Sequence, residues 1–355
     1  MFDAVARLSD FRKVNIPREC VERAQAPIRP TVEVVEISDP TAAGESIEVL
    51  AQEVVQLGTT PFRARRLAVR LEDSFVLLQS TSPRVRARTT LHDQLRAFVV
   101  FGPEARGTVN GLNVRPDLMM AAESGIEVEF VVEAGYESVT TLVPPSVLEA
   151  QLTARKREGR FRAPRGVEVL DAKANHARGL FDWGKRLTSA AERHPALFER
   201  KETLAVARAE LLEHLLAALD GASATARTRR DLTREAHRRV VKAAESYALA
   251  HVGEYPHVKD LCLAAGVSER TLEYAFRAVM RMSPLAYLAR LRLHRVRKAL
   301  RAATPGSTTV AAEALNWGFW HLGEFSRAYK ACFGELPSET LRRRPAGADG
   351  PSNAK

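Results

Sequence analysis

The sequence predicts an α+β chain. A β-rich N-terminal part of barrel or cupin-like type comes first, then a helical connector, then an all-α C-terminal part with two helix-turn-helix motifs. Three observations carry this. Between 62 and 143, short apolar runs of strand type are separated by Gly, Pro and Asn. Between 236 and 344 the apolar spacing is helical throughout, and two segments there look alike. Charge divides between the two parts. Residues 227–344 hold 22 lysines and arginines against 11 acidic residues, whereas residues 1–226 are almost balanced.

A length of 355 residues suits two or three domains, and 45% hydrophobic content is enough for real cores. The boundaries expected are 1–160 for the β-rich part, 161–226 for a connector with a dimerising surface, 227–345 for the helical module, and 346–355 for a disordered tail. No apolar run reaches the roughly 20 residues that span a bilayer. The start, "MFDAVARLSDFRK", is charged where a signal peptide is apolar, so a cytoplasmic location is expected. Cys20, Cys262 and Cys332 are far apart and odd in number, which argues against a disulfide framework and a zinc site. No metal ligand set, catalytic constellation or cofactor motif is read. His92 is the only histidine in 62–143.

Taken in order, residues 1–30 read as an extended arm. "GESIEVLAQEVVQLG" (44–58) spaces Ile47, Leu50, Val54 and Leu57 as a helix would. The runs "RRLAVRLEDSFVLLQST", "LRAFVVFG", "LMMAAE", "IEVEFVVEAG" and "YESVTTLVP" suggest an antiparallel barrel or sandwich. "SVLEAQLTARKR" is helical, and "REGRFRAPRG" (157–166) is a linker. In the helix over 196–220, Leu204, Leu211, Leu215 and Leu219 share a face, with Leu212 and Leu216 beside them. Such a stripe packs on its own domain or pairs with a second copy. "GASATARTRR" (221–230) reads as a second linker.

In the last third, 258–280 and 309–334 each give an apolar helix, a turn with glycine (Gly266, Gly318) and an apolar residue after it (Val267, Phe319). A second helix with a basic outer face follows. The tight turn lets two helices meet steeply. In the first unit Leu272, Phe276 and Val279 are expected in the core, with Ser268 as the N-cap and Glu269, Arg270, Glu273, Tyr274 and Arg277 outward. In the second, Leu322, Phe325, Tyr329 and Cys332 are core, and His321, Gly323, Glu324, Ser326, Arg327 and Lys330 face out. The six aromatic residues crowded between Trp317 and Phe333 are thus mainly the core of a small domain. Trp320 and His321 either touch a phosphate or cover the turn. Between the units, "SPLAYLARLRLHRVRKALRAA" (283–303) is one helix, started by Ser283 and Pro284. About 19 residues span about 28 Å, close to the ~34 Å of one duplex turn. Arg290, Arg292, Arg295, Arg297, Lys298 and Arg301 on it are a supply of positive charge for phosphates.

On "AAGVSERTLEYAF", "SPLAYLARLRLHRVRKAL" and "WGFWHLGEFSRAYKACFGELPSETLR", the stretch 236–344 resembles the AraC/XylS family of bacterial transcription regulators. The resemblance implies a sequence-specific regulator of the activator type that binds double-stranded DNA through two recognition helices in successive major grooves. The DNA-facing candidates are Ser268, Arg270, Thr271, Glu273, Tyr274 and Arg277, with His321, Gly323, Glu324, Ser326, Arg327 and Lys330. It also implies a small-molecule effector at the β-rich part, RNA polymerase as a partner, and a homodimer. Two departures stand out. Arg281 replaces the usual glycine before the "SP" step, and "WHLGEFSR" replaces a more polar run. Glu269 and Glu273 lie near DNA in this reading, and one of them reads as a selectivity element, because a carboxylate accepts from cytosine N4 but repels phosphate.

Two other classes compete. A non-specific architectural DNA protein shares the basic charge but has no use for a β-rich part. A cysteine-dependent DNA alkyl-repair enzyme needs an activated thiolate, for which no Cys or His partner is evident. A peripheral membrane role is disfavoured, since 285–303 alternates Leu and Arg instead of presenting a broad apolar face.

Overall fold

Every β pairing is antiparallel, and the strands sort into two facing sheets. The computed structural model describes residues 30–44, 49–92, 94–155, 166–220, 222–252, 256–304 and 306–343. The expected arm (up to residue 29), almost all of the 157–166 linker and the 346–355 tail lie outside the described residues. The strands are β1 (Val32–Ile37), β2 (Leu50–Gln56), β3 (Ala64–Leu71), β4 (Ser74–Thr81), β5 (Val85–Leu91), β6 (Arg96–Phe101), β7 (Gly107–Val109), β8 (Leu112–Asn113), β9 (Leu118–Glu123), β10 (Glu127–Val132), β11 (Tyr136–Val143), β12 (Val167–Asp171) and β13 (Ser223–Ala224). The larger sheet has the order β1-β3-β4-β11-β6-β9-β12-β13, and the smaller β2-β5-β10-β7-β8.

Strand periodicity places these residues. In β6, Val99 and Phe101 point between the sheets, while Phe98 and Val100 point to the opposite face. Met119 and Met120 of β9 divide the same way. The larger sheet is therefore apolar on both faces, which is why "RAFVVF" and "LMMAAE" read as continuous runs. Its inner face meets Leu50, Val54, Val85, Ala87 and Val128 of the smaller sheet. Its outer face is covered by α1 (Pro145–Ala154), α2 (Ala174–Arg193) and α3 (Lys201–Leu219).

Three sequence expectations change here. Residues 50–56 are strand β2, paired in register with β5 from Leu50↔Leu91 to Gln56↔Val85, and not part of a helix. The inner face of β2 mixes Leu50 and Val54 with the polar Gln52 and Gln56, and the outer face has exposed Ala51 and half-buried Glu53 before Val55 turns in against the C-terminal helices. Polar glutamines on the inner face and adjacent apolar Val54 and Val55 hide the two-residue period and leave a spacing that mimics a helix. The strands β12 and β13 were not foreseen; they extend the larger sheet beyond β9. The leucine stripe of α3 packs on its own domain: Leu211 and Leu215 are fully buried, and Leu212, Leu216 and Leu219 nearly so, against the larger sheet and α2. Those leucines are not a surface for a second copy.

The C-terminal part consists of α4 (Arg229–Ala250), α5 (Val258–Ala265), α6 (Glu269–Met280), α7 (Pro284–Ala302), α8 (Val310–Asn316), α9 (Leu322–Phe333) and α10 (Pro337–Arg342). A capping box formed by Thr228 and Asp231 starts α4 within the stretch read as a linker. The outer face of the smaller sheet lies against α4 and α7, and this face is charged. Arg86 is fully buried and bonds Glu129 (3.2 Å) and Glu245 of α4 (2.9 Å), while Arg88 bonds the same Glu245 carboxylate at 2.7 Å. Burial opposes the charge on Arg86, but Tyr287, Glu245 and Glu129 outweigh it and hold the guanidinium protonated. Around these ions Val55, Leu57 and Val131 merge with Val241, Ala244 and the first core of the helical part.

Helix α7 runs on along β2. The Nε2 atom of buried His294 accepts from the Gln56 backbone N–H at 3.2 Å. Arg290 donates to the Gly58 carbonyl (2.8 Å), Arg295 pairs with Glu53 (2.7 Å), and Arg297 pairs with Asp39 (2.7 Å). Arg301 donates to Thr41 Oγ1 at 3.1 Å. Burial works against the Asp39 charge, yet Arg297 and the Thr41 hydrogen bonds keep its carboxyl below the ordinary range. The expectation that the α7 arginines serve DNA phosphates is corrected by these contacts. Arg290, Arg295, Arg297 and Arg301 tie the helix to the β-rich part, and Arg292 stacks over Phe319 at 5.4 Å. Lys298 alone among the six is exposed.

Two measurements check this interface. Replacing Glu245 with Ala removes the carboxylate shared by Arg86 and Arg88, leaves buried Arg86 with Glu129 alone, and should destabilise the protein by about 3 kcal/mol in urea unfolding. Burial lowers the His294 pKa to about 3, with Arg290 and Arg297 adding to the effect and Asp39 opposing it. The unfolded chain binds this proton below about pH 6.5 and the folded chain does not. Stability is therefore fully present above that pH and falls as the pH drops towards 3, at up to about 1.4 kcal/mol per unit. The drop in urea midpoint between pH 7 and pH 5 should shrink in His294→Gln, whose amide oxygen can still accept from Gln56.

Candidate nucleic-acid interface

The two helix pairs, α5–α6 and α8–α9, are built around the same turn. In the first, Gly266 takes a left-handed φ of +64°, and the next N–H, that of Val267, donates to Cys262 O at 3.0 Å. In the second, Gly318 has φ +79°, and Phe319 N–H donates to Ala314 O at 2.8 Å. Both are Schellman closures, in which the left-handed residue lets the chain reverse while satisfying a helix-end carbonyl. The apolar residue after each glycine packs on its unit's core.

Helix α6 begins where the sequence places it. Ser268 Oγ accepts from Thr271 N–H at 3.3 Å. Leu272, Ala275 and Phe276 are buried, and Val279 is half-buried. Ser268, Arg270, Thr271, Tyr274 and Arg277 are exposed, while Glu273 is half-buried and pairs with Arg277 at 2.7 Å. Tyr274 is 66% exposed, and its ring meets the edge of His237 on α4 at 5.4 Å. On α9, Phe325, Tyr329 and Cys332 are core as expected, but Leu322 is 40% exposed, which corrects its assignment. It opens the helix before the first full turn packs down. His321, Gly323, Glu324, Arg327 and Lys330 are exposed and Ser326 is half-buried. Trp320, just before α9, is 62% exposed, while Trp317 and Phe319 pack on the core. The outer faces of both second helices are thus open, and neither is plugged into the chain.

Helix α7 joins the two cores. Tyr287, Leu288 and Leu291 enter the first, and Leu293, Val296 and Leu300 the second. The shift in leucine register along α7 marks this handover. Arg297 anchors the second unit. Besides Asp39 it bonds Glu335 (3.0 Å), Tyr329 Oη (3.3 Å) and Thr340 Oγ1 (3.4 Å), and it stacks over Phe333 at 4.5 Å. "FGELPSET" is therefore a polar clasp around one guanidinium.

Helix α6 ends on Arg281, a non-glycine residue at φ +56°. It keeps the left-handed conformation that the usual glycine would supply, at a cost of about 1–2 kcal/mol. Arg84, at the entry to β5, donates to the Val279 carbonyl (2.9 Å) and the Met280 carbonyl, and its Nε pairs with Glu133 at 3.2 Å. Arg281 pairs with the same Glu133 at 3.1 Å. The β-rich part thus holds the end of the first outward-facing helix directly. Sequence reasoning missed this contact, for which the non-glycine Arg281 was the only visible sign.

A cavity of about 100 Å³ lies between the two sheets. Its walls are mostly apolar, with Val54, Ala87, Val99 and Met120, and its polar members include Arg66 and Gln52. Arg66 donates to Gln52 Oε1 (2.7 Å) and the Ala43 carbonyl (3.1 Å), and burial lowers its pKa to about 10 against the pull of Glu33. The thiols are poorly suited to nucleophilic work. Burial pushes Cys332 up to about 11, and burial together with Glu269 raises Cys262. Cys20 lies outside the described residues. Among the described residues no cluster of metal-ligating side chains is present, and no helix is long and apolar enough to cross a membrane.

Comparison with known proteins agrees with this geometry. A family described as "Helix-turn-helix domain" matches residues 261–343. Over 106 residues, 30% of this chain, the sequence is 37% identical to a probable thc operon regulatory protein of Rhodococcus erythropolis. Over 84 residues, 24% of this chain, it is 36% identical to XylDLEGF operon transcriptional activator 2 of Pseudomonas putida. The matched stretches span 32% and 54% of those relatives' own lengths. A solved structure of a probable AraC family transcriptional regulator from Rhodopseudomonas palustris CGA009 is 41% identical, with 30% of this chain and 98% of that chain covered and a TM-score of 0.28. With its paired helix-turn-helix units, the C-terminal module belongs to the AraC/XylS family of transcription regulators.

Proposed function

We propose that this protein is a sequence-specific DNA-binding regulator, of the activator type, that places α6 and α9 in successive major grooves on one face of a duplex. The observation that carries this reading is the pair of open outer faces on helices fixed to one rigid α7. Arg270, Thr271, Tyr274 and Arg277 on α6, with His321, Gly323, Glu324, Arg327 and Lys330 on α9, are the side chains and backbone that would enter the grooves. Ser268 and Ser326 flank them, and Glu273 would orient Arg277 through their ion pair. Arginine offers a forked donor to guanine, the commonest specific contact in the major groove. With four of the α7 arginines committed to the β-rich part, non-specific attraction falls more heavily on the exposed charges of α6 and α9. That favours selective binding over an architectural role.

An effector would act from the β-rich part, with the cavity beside Arg66 and Gln52 as its seat. The contacts of α4, α6 and α7 with the smaller sheet give a binding event there a short route to the reading helices, as a population shift between two arrangements. The cytoplasm and RNA polymerase complete the expected setting. Since the α3 leucines are consumed, dimerisation requires a different surface.

Footprinting on the region upstream of the gene tests the reading. Wild type should protect two major-groove patches about one turn apart per subunit. Arg270→Ala and Arg327→Ala should each erase one patch and weaken binding by about 1–3 kcal/mol, with selectivity lost at the bases that side chain reads. Equal affinity for this region and random DNA at physiological salt would refute it.

A further inference from the structure

A second concave site lies where the smaller sheet meets the first helix-turn-helix unit. It is a cleft of about 240 Å³ between Arg84 and strands β7, β8 and β10 on one side and α4 and the end of α6 on the other. Five guanidinium groups line it: Arg84, Arg106, Arg234, Arg238 and Arg281. Among the described residues its only carboxylates are Glu129 and Glu133. Glu133 is spent on Arg84 and Arg281, and Glu129 on Arg86 and Arg88 beside the cleft. Arg234 leans on Asp231 of its own helix at 2.9 Å. Arg106 and Arg238 form no ion pair among the described residues, and Arg238 Nε is buried with no hydrogen-bond partner there. Buried donors with nothing to bond are costly, and the cost is removed by an acceptor that brings negative charge.

We propose that this cleft binds a small, multiply charged oxyanion, a phosphate-bearing metabolite by chemical class. The guanidinium fork matches the oxygens of a phosphate bidentately, and several forks around one cleft favour a group with more than one negative charge. The left-handed backbone at Arg281 fits the same use, because strained positions persist where the side chain has a task. The occupant competes with Glu133 for Arg84 and Arg281, and Arg84 grips the carbonyls that end α6. Occupancy therefore bears on the position of α6. That consequence rests on the DNA-binding reading above, while the binding itself does not.

The test is calorimetric titration of the full chain, without DNA, using inorganic pyrophosphate at constant ionic strength. Wild type should show one saturable site. Arg238→Gln should weaken it at least tenfold, and Arg106→Ala, at the exposed rim where folding is not at stake, several-fold. Both variants should keep the wild-type circular dichroism spectrum. Absence of saturable heat from the wild type, or an unchanged dissociation constant in the folded Arg106→Ala variant, overturns the proposal. So does a result in which pyrophosphate fails to bind while Arg238→Gln weakens duplex binding, which would assign the cleft to the DNA backbone.

Discussion

Closure of the charged outer face of the smaller sheet is the constraint on which the rest of the structure depends. Arg86 and Arg88 project from a strand that a helix must cover, and neither can leave water without a counter-charge. Glu245 of α4 supplies it, and the surrounding Val55, Leu57, Val131, Val241 and Ala244 exclude solvent. Hydrophobic contact alone could seat α4 at several neighbouring positions. The two ion pairs to a single buried carboxylate allow one. With α4 fixed, α5 and α6 are fixed through their common core, and α7 is directed along β2.

The second unit is fixed through α7. Leu293, Val296 and Leu300 carry the helix into the second core, and Arg297 binds Asp39 on one side and Glu335, Tyr329 and Thr340 on the other. A residue near the start of the β-rich part is thereby linked through one guanidinium to a residue near the end of the described chain. Both outward-facing helices are thus tied to the β-rich part, the first through the smaller sheet and the second through α7 and Asp39.

Much of this was legible in the sequence, for identifiable reasons. The helix starts at Ser268 and Ser283, the turns at Gly266 and Gly318, and the cores around Phe276 and Tyr329 follow from local rules, because capping, left-handed turns and helical period act over four or five residues. What local rules could not reveal was which charged faces meet another part of the chain. A strand such as "VRART" alternates apolar and basic in the same way whether its outer face meets water or α4. The arginines of α7 likewise have the same spacing whether they face phosphates or Asp39 and Glu53. The leucine stripe of α3 left two outcomes open until the larger sheet was seen to cover it. For residues 50–56, glutamines on the inner face and the Val54-Val55 pair erased the alternation that marks a strand.

The charged face of the smaller sheet has a role before the protein is complete. The chain emerges from the ribosome N-terminus first, so every strand of the smaller sheet, the last of them β10, is synthesised before Glu245 and α7. During that interval the face bearing Arg86, Arg88, Glu127 and Glu129 is uncovered. An apolar face would then invite edge-to-edge and face-to-face association of nascent chains. Arginine and glutamate keep that surface hydrated until its helical cover arrives, so Arg86 and Glu129, buried in the finished protein, begin as a guard against aggregation.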